Sequence, residues 1–271
     1  MDFLNIAGYR FVPIQDCSAL RQQLNELTHD LGLKGTILIS TEGINIFLSG
    51  TAITIKAFKQ EFETDARFIK MEWKDSHSSE IAFNRMLVKI KQEIIPMGQP
   101  EINPITNPAP FIDPKTLATW LDEGKSITLL DTRNVFEIKI GSFENATHLN
   151  LSRFRDFSNA ASTLNENLRN KPIVTFCTGG IRCEKAAPLL KKIGFNEVYQ
   201  LQGGILNYFE QVGRRHYKGD CFVFDKRVAL TPELTQSQYK MCFNCQRPLN
   251  LEEQQSSDYI PDISCPGCIV R

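Results

Sequence analysis

The sequence predicts an α/β protein in which an N-terminal ferredoxin-like α+β sandwich is followed by a parallel α/β domain and a Cys-rich tail. Three observations predict it. Strand and helix signals run in the order βαββαβ through the first third, short apolar strands alternate with helices through the middle, and from about Gly219 the alternation gives way to paired cysteines.

The elements follow in chain order. An apolar stretch around Gly8 to Pro13 reads as a strand. Asp16 then offers an N-cap oxygen to a helix whose Leu20, Leu24, Leu27 and Leu31 recur at helical spacing until Gly32. Thr36–Ser40 and Asn45–Ser49 read as strands around the turn Thr41–Gly43, and Ile55, Phe58 and Phe62 mark a second amphipathic helix. The stretch Arg85–Lys91 sets Met86, Val88 and Ile90 on one face of the closing strand, which completes a first domain over 1–95. Pro96, Pro100, Pro104, Pro108 and Pro110 then predict a stiff linker over 96–112.

The second domain, 113–218, opens with Asp113 as N-cap, Pro114 as first helical residue and Gly124 just past the helix end. "ITLLDTR", "IVTFC" and "VYQLQGG" are short buried strands. Helices are expected near Asn159–Leu168, Cys183–Ile193 and Ile205–Val212, an alternation that argues for a parallel sheet. Residues 219–271 form the tail.

Composition narrows the function classes. The 271 residues are 42% hydrophobic and 23% charged, as in ordinary globular proteins. No apolar run approaches the roughly 20 residues of a membrane helix, and Met1 to Val12 lacks the basic start and apolar core of a signal peptide. A cytoplasmic protein with no membrane partner is expected, and the sequence assigns no oligomeric state. Thirty-one basic residues balance thirty-one acidic ones, so a nucleic-acid partner would have to use local patches. Arg153 and Arg155, the run Arg214, Arg215, His216 and Lys218, and Lys89 with Lys91 are the candidates, against the plainer reading of solvated surface.

Seven of the eight cysteines, Cys177, Cys183, Cys221, Cys242, Cys245, Cys265 and Cys268, fall in the C-terminal half; Cys17 stands apart. In a large chain with no export signal such clustering points to catalysis or metal. Cys17 and Cys221 are single and read as structural. Cys177 ends a predicted strand in "CTGGIRCEK", and a helix follows at once. In a parallel sheet that junction is where ligands bind. Gly179 and Gly180 let the backbone of Thr178, Gly179, Gly180, Ile181 and Arg182 curl so that its amides face one spot. The helix N-terminus and the Arg182 cation would then favour a Cys177 thiolate. Arg182 braces the loop or holds an anionic substrate. Cys183 either packs or acts as a resolving thiol, and Asp131 with Arg133 is expected to form a structural ion pair beneath the loop.

The six-residue span from Cys177 to Arg182, "LLDTR", "EIKIGSFENATHLNL" and "LQGGILNY" together resemble the rhodanese domain, whose loop cysteine carries a persulfide sulfur. Adding "EGIN" at Glu42–Asn45, "GDCFVFDKRV" at Gly219–Val228 and the terminal Cys-x2-Cys pairs, the chain resembles the bacterial tRNA uridine hydroxylase family over nearly its whole length. The resemblance implies hydroxylation of the wobble uridine of tRNA to 5-hydroxyuridine with molecular oxygen, Cys177 being the essential cysteine. The chain departs from the family pattern at Ile46 and Phe47, where small residues are usual, and at Ser142, where rhodanese-like domains commonly carry histidine. The loop alone leaves sulfur transfer from thiosulfate, or a non-enzymatic adaptor, as alternatives. Neither a dinucleotide fingerprint nor a His-rich triad occurs, so no flavin or nicotinamide is expected.

In the tail, Cys242 and Cys245 are spaced Cys-x2-Cys, as are Cys265 and Cys268, with nineteen residues between the pairs. This is zinc-ribbon spacing, and one structural zinc ion is expected, reversible disulfides or disorder being the alternative.

Overall fold

The computed structural model describes residues 2–269; Met1, Val270 and Arg271, at the ends of the first and last predicted segments, lie outside the described residues. The first domain comprises β1 (Phe3–Phe11), α1 (Cys17–Asp30), β2 (Lys34–Ser40), β3 (Gly43–Thr51), α2 (Ala52–Phe62), β4 (Lys74–Ser78) and β5 (Met86–Ile90), with sheet order β4-β1-β3-β2-β5. Leu20 and Leu24 of α1 and Ile55, Phe58 and Phe62 of α2 are buried against the sheet with Ile37, Ile44 and Ile46, so each helix presents its apolar stripe to one core.

The fourth strand of the sandwich is Lys74–Ser78, antiparallel to β1, and the expected closing strand is instead a fifth, parallel to β2 on the opposite edge. The polar run KDSHS carries no apolar alternation because it is a charged edge strand, a composition that discourages pairing with other chains. On β5 only Val88 is fully buried, and Ile90 is 41% exposed. Asp16 does precede α1, but its side chain makes no cap bond. Arg67 takes the carboxylate in a two-pronged ion pair, a charge-assisted contact stronger than a bond to a neutral amide.

The Pro-rich stretch is a packed strap. Met97, Ile102 and Ala109 are buried in the second domain's core, and Phe111–Ile112, expected as linker, form β6. The second domain continues with α3 (Pro114–Asp122), β7 (Thr128–Asp131), α4 (Val135–Ile138), β8 (Gly141–Phe143), β9 (Thr147–His148), α5 (Phe157–Ala161), β10 (Ile173–Phe176), α6 (Ile181–Lys192), β11 (Val198–Leu201), α7 (Gly204–Val212) and β12 (Tyr217–Gly219). Asp113 caps α3 by accepting the Thr116 amide at 3.0 Å. The main sheet, β6-β11-β10-β7-β9, is parallel throughout. Helices α5 and α6 cover one face around Phe157, Ala186 and Leu190; α3 and α7 cover the other around Leu117, Ile205 and Tyr208. The single helix expected near Asn159–Leu168 is instead the short α5 and a separate turn at Glu166–Leu168, initiated where the Asn165 side chain accepts the Asn167 amide at 2.9 Å.

The tail adds β13 (Cys221–Phe222), β14 (Ala229–Leu230), β15 (Lys240–Met241), β16 (Pro248–Leu249), α8 (Leu251–Gln255) and α9 (Pro266–Ile269). Its first part reaches back to the sandwich, where Arg227 donates to Ser76 Oγ at 2.7 Å. Among the described residues no helix is long and apolar enough to cross a membrane.

Candidate active site

Cys177 leaves the C-terminal end of β10, in the middle of the parallel sheet, and only 1% of it is exposed. Gly180 adopts φ +100°, which turns its amide back to donate to Cys177 Sγ at 3.1 Å, and α6 begins at the next residue. The loop's own carbonyls are held from outside: Ile205 and Leu206 donate to the carbonyls of Cys177 and Thr178 at 2.9 and 3.1 Å. This requires the Gly203-Gly204 pair that opens α7. A Cβ on Gly204 would lie 2.5 Å from the Cys177 carbonyl oxygen. The "LQGG" motif therefore serves close backbone approach.

Arg182 is buried and bonded at both ends to Glu137, Nη1 to Oε2 at 2.6 Å and Nη2 to Oε1 at 2.7 Å. Glu137, on the first turn of α4, also accepts the Asn134 amide at 3.0 Å. Sequence reasoning missed this partner; its one signal was a carboxylate inside the apolar run VFEI. Burial works against a thiolate at Cys177. The Cys183 thiol, the Arg182 charge and the amides of Arg182 and Gly180 outweigh it and hold the Cys177 pKa at about 6. Cys183, fully buried, moves the opposite way, pushed up by burial and by the neighbouring Cys177.

Asp131 and Arg133 form the expected pair, both with fully buried side chains: Arg133 Nε and Nη2 donate to Asp131 at 2.9 and 2.6 Å, and Nη2 also reaches the Gly141 carbonyl at 2.7 Å. They sit under the strand ends and do not line the cleft above Cys177.

That cleft, of about 830 Å³, lies between the two domains. Its walls include Tyr9, Phe47 and Lys74 from the sandwich, Ile105 from the strap, the Cys177 loop, and Phe224 from the tail. The domains are fastened beside it by Lys185 of α6. Its ammonium, almost wholly buried, contacts Glu42 at 2.9 Å, Glu93 at 2.6 Å and the Ile95 carbonyl at 3.1 Å. Glu42 also accepts the Ile94 amide at 2.8 Å. "EGIN" thus belongs to the domain joint.

Of the expected basic contacts, Arg153 lines the cleft, whereas Arg155, Lys89 and Lys91 are exposed outside it. The run Arg214–Lys218 is also outside, with Arg215 and His216 paired to Asp122, Arg214 to Glu233 and Lys218 to Glu144. Lys70 and Lys74, which sequence reasoning did not single out, line the cleft, and the lysine ion pairs among the described residues involve neither of them.

Residues 3–94 match the UPF0176 acylphosphatase like domain and residues 113–211 the rhodanese-like domain. Curated relatives match end to end. The tRNA uridine(34) hydroxylase of Cupriavidus taiwanensis is 46% identical over 99% of this chain and 97% of its own. That of Paraburkholderia xenovorans is 46% identical over 99% and 96%, and that of Burkholderia cenocepacia 44% over 99% and 98%. The chain belongs to the tRNA uridine(34) hydroxylase family. Its departures from the pattern expected of tRNA uridine(34) hydroxylases are accommodated locally. Ser142 Oγ donates to Asp131 Oδ2 at 2.7 Å and so joins the support under the loop. Ile46 fills the sandwich core, while Phe47, on the opposite face of β3, lines the cleft.

The tail brings Cys242, Cys245, Cys265 and Cys268 together, all four sulfurs lying within 4.8 Å of one another. The Cys242–Cys268, Cys245–Cys265 and Cys265–Cys268 separations are 3.7, 3.6 and 3.5 Å. Four sulfurs at ~2.3 Å from a central zinc stand roughly 3.8 Å apart, whereas a disulfide needs ~2.05 Å. The cluster fits a tetrahedral metal ion. Cys221 is buried and Cys17 half-buried, both away from it.

Proposed function

We propose that this protein hydroxylates C5 of the wobble uridine of tRNA, with molecular oxygen as cosubstrate and Cys177 as the working atom, in the cytoplasm. The observation that carries the reading is a cysteine held acidic at the floor of a cleft walled by both domains, in a chain of this family. Uracil is electron-poor at C6. The Cys177 thiolate adds there, and the electron pair displaced from the C5=C6 bond spreads over C5 and the C4 carbonyl, where oxygen is met. One oxygen atom stays on C5; an external two-electron reductant returns the other as water. The amides of Thr178 to Arg182 stabilise the anionic stages, and Arg182, engaged by Glu137, is the brace of the loop. Asp131 and Arg133 support the strand ends, and Cys183 acts by lowering the Cys177 pKa.

A wobble base sits in a loop and can leave its stack to enter a pocket. Lys70, Lys74 and Arg153 at the cleft supply phosphate contacts, and Phe224, 52% exposed at its edge, offers a stacking face. The four tail cysteines hold one structural zinc ion, whose closed thiolate shell orders a segment with little core of its own.

The test is mass spectrometry of tRNA nucleosides from cells lacking the gene, complemented with wild type or with Cys177→Ala. Restoration of 5-hydroxyuridine derivatives by wild type alone is expected; nucleosides indifferent to the gene would refute the reading. A covalent adduct with 5-fluorouridine RNA under aerobic turnover is expected from attack at C6. A second reading, sulfur transfer through a Cys177 persulfide, is favoured by the rhodanese-like match over residues 113–211. Robust cyanide-dependent sulfur transfer from thiosulfate by the purified protein would select it.

A further inference from the structure

Glu184 is the one residue of the turn Cys183-Glu184-Lys185 whose task is still open. Its carboxylate is half-buried in the wall of the cleft, next in sequence to the buried Cys183 thiol. Oε1 accepts from the Tyr9 hydroxyl at 3.1 Å, and Oε2 is 3.4 Å from Gln200 Nε2. Both donors are neutral. Among the described residues Glu184 has no cation, whereas the adjacent Lys185 has two carboxylates. Tyr9 itself comes from the sandwich and lies over the loop, its hydroxyl 3.0 Å from where a Cβ on Gly180 would stand. Cys177, Glu184 and Tyr9 therefore converge on the Gly179–Gly180 turn, and the sandwich also lines the cleft with the charged Arg10, Lys70, Glu72, Lys74 and Asp75.

A half-buried carboxylate without a cation, lining a cleft beside a reactive cysteine, is a recurring feature of proton-handling sites. Burial raises its pKa, the Tyr9 and Gln200 bonds pull against that rise, and the Cys177 charge adds to it; the net direction is upward. Such a carboxylate is a stronger base than one in water.

We propose that Glu184 is the catalytic base that removes the C5 hydrogen and so releases the product from Cys177. This rests on attack at C6. Once C5 bears both its hydroxyl and its original hydrogen, and C6 bears the Cys177 sulfur, uracil is no longer aromatic-like and is still tethered. The Glu184 carboxylate takes the C5 proton. The C5–H electron pair becomes the C5=C6 bond, and the C6–S pair returns to sulfur, regenerating the Cys177 thiolate. No oxidant or reductant enters this elimination. Tyr9 is a positioning residue that holds the carboxylate toward the ring.

The experiment uses the full-length protein, an anticodon stem–loop RNA with hydrogen or deuterium at uridine C5, and Glu184→Gln. Loss of a general base costs on the order of 100-fold in rate. Product formation is expected to fall by about that factor, with a denaturation-stable protein–RNA adduct accumulating, and deuterium at C5 should slow the residual turnover further. The pH midpoint of Cys177 alkylation reports that the loop is intact. Turnover at the wild-type rate would overturn the assignment, as would inactivity with no adduct. If wild type hydroxylates yet forms no adduct with 5-fluorouridine RNA, the C6-addition reading falls instead, and its failure is seen before Glu184 is touched.

Discussion

Replacing Cys183 with alanine isolates one contribution to the acidity of Cys177. The thiol of Cys183 is the first of the groups that lower the Cys177 pKa against burial, and its removal leaves the loop amides and Arg182 in place. A hydrogen bond to a charged group is worth roughly 1.5–3 kcal/mol, and a thiol is a weak donor. The lower end of that range is about one pKa unit. The Cys177 pKa should therefore move from about 6 to about 7. At pH 6 the thiolate fraction then drops from about one half to about one tenth, while at pH 8 both proteins remain about nine-tenths ionised or more. Iodoacetamide alkylation of Cys177, followed by peptide mass spectrometry, should slow about fivefold at pH 6 and hardly at all at pH 8. An unchanged midpoint would refute the reasoning and assign the acidity to Arg182 and the loop amides alone.

Glu137→Gln leaves the buried Arg182 without its counter-charge and should cost roughly 3–5 kcal/mol of stability, read from urea midpoints. Lys185→Met unties Glu42 and Glu93 from α6, so proteolysis within 96–110 should become faster while zinc content is unchanged. Purified protein should contain about one zinc per chain; a strong chelator should expose four further thiols to a colorimetric reagent and make the tail protease-sensitive. The folded pKa of Cys177, about 6, lies below the unfolded value near 9, so its contribution is fully present above the unfolded value and is lost as pH falls toward the folded one. The stability difference between wild type and Cys177→Ser should accordingly grow with pH across that window.

The cysteine loop was legible because its parts are local: a strand end, two glycines, an arginine and a helix start lie within seven residues. The same holds for α3, whose Asp113, Pro114 and Gly124 announce both ends. What escaped was carried by long-range partners. Arg182 finds Glu137 across 45 positions, and Asp16 gives up its helix cap to Arg67 across 51. The strand β4 escaped because an edge needs no apolar face, and the Arg214–Lys218 run looked like an open basic patch because its acidic partners are distant in sequence. The cleft was invisible for the strongest reason: its walls come from both domains, so no single stretch encodes it and Tyr9, Lys74 and Glu184 carry no motif that connects them.

The turn Cys183-Glu184-Lys185 sends three consecutive side chains to three destinations: a thiol into the core beside Thr132, a carboxylate into the cleft and an ammonium to the neighbouring domain. Successive residues on a helix are separated by about 100° of rotation, so one inserted or deleted residue would misdirect all three at once. The six-residue loop is thus not a transplantable cassette. Grafted onto another sheet it would bring a nucleophile, but an engineer who wanted the reaction would have to carry over α6 in register, together with the sandwich surface bearing Tyr9 and Glu42 that reads it.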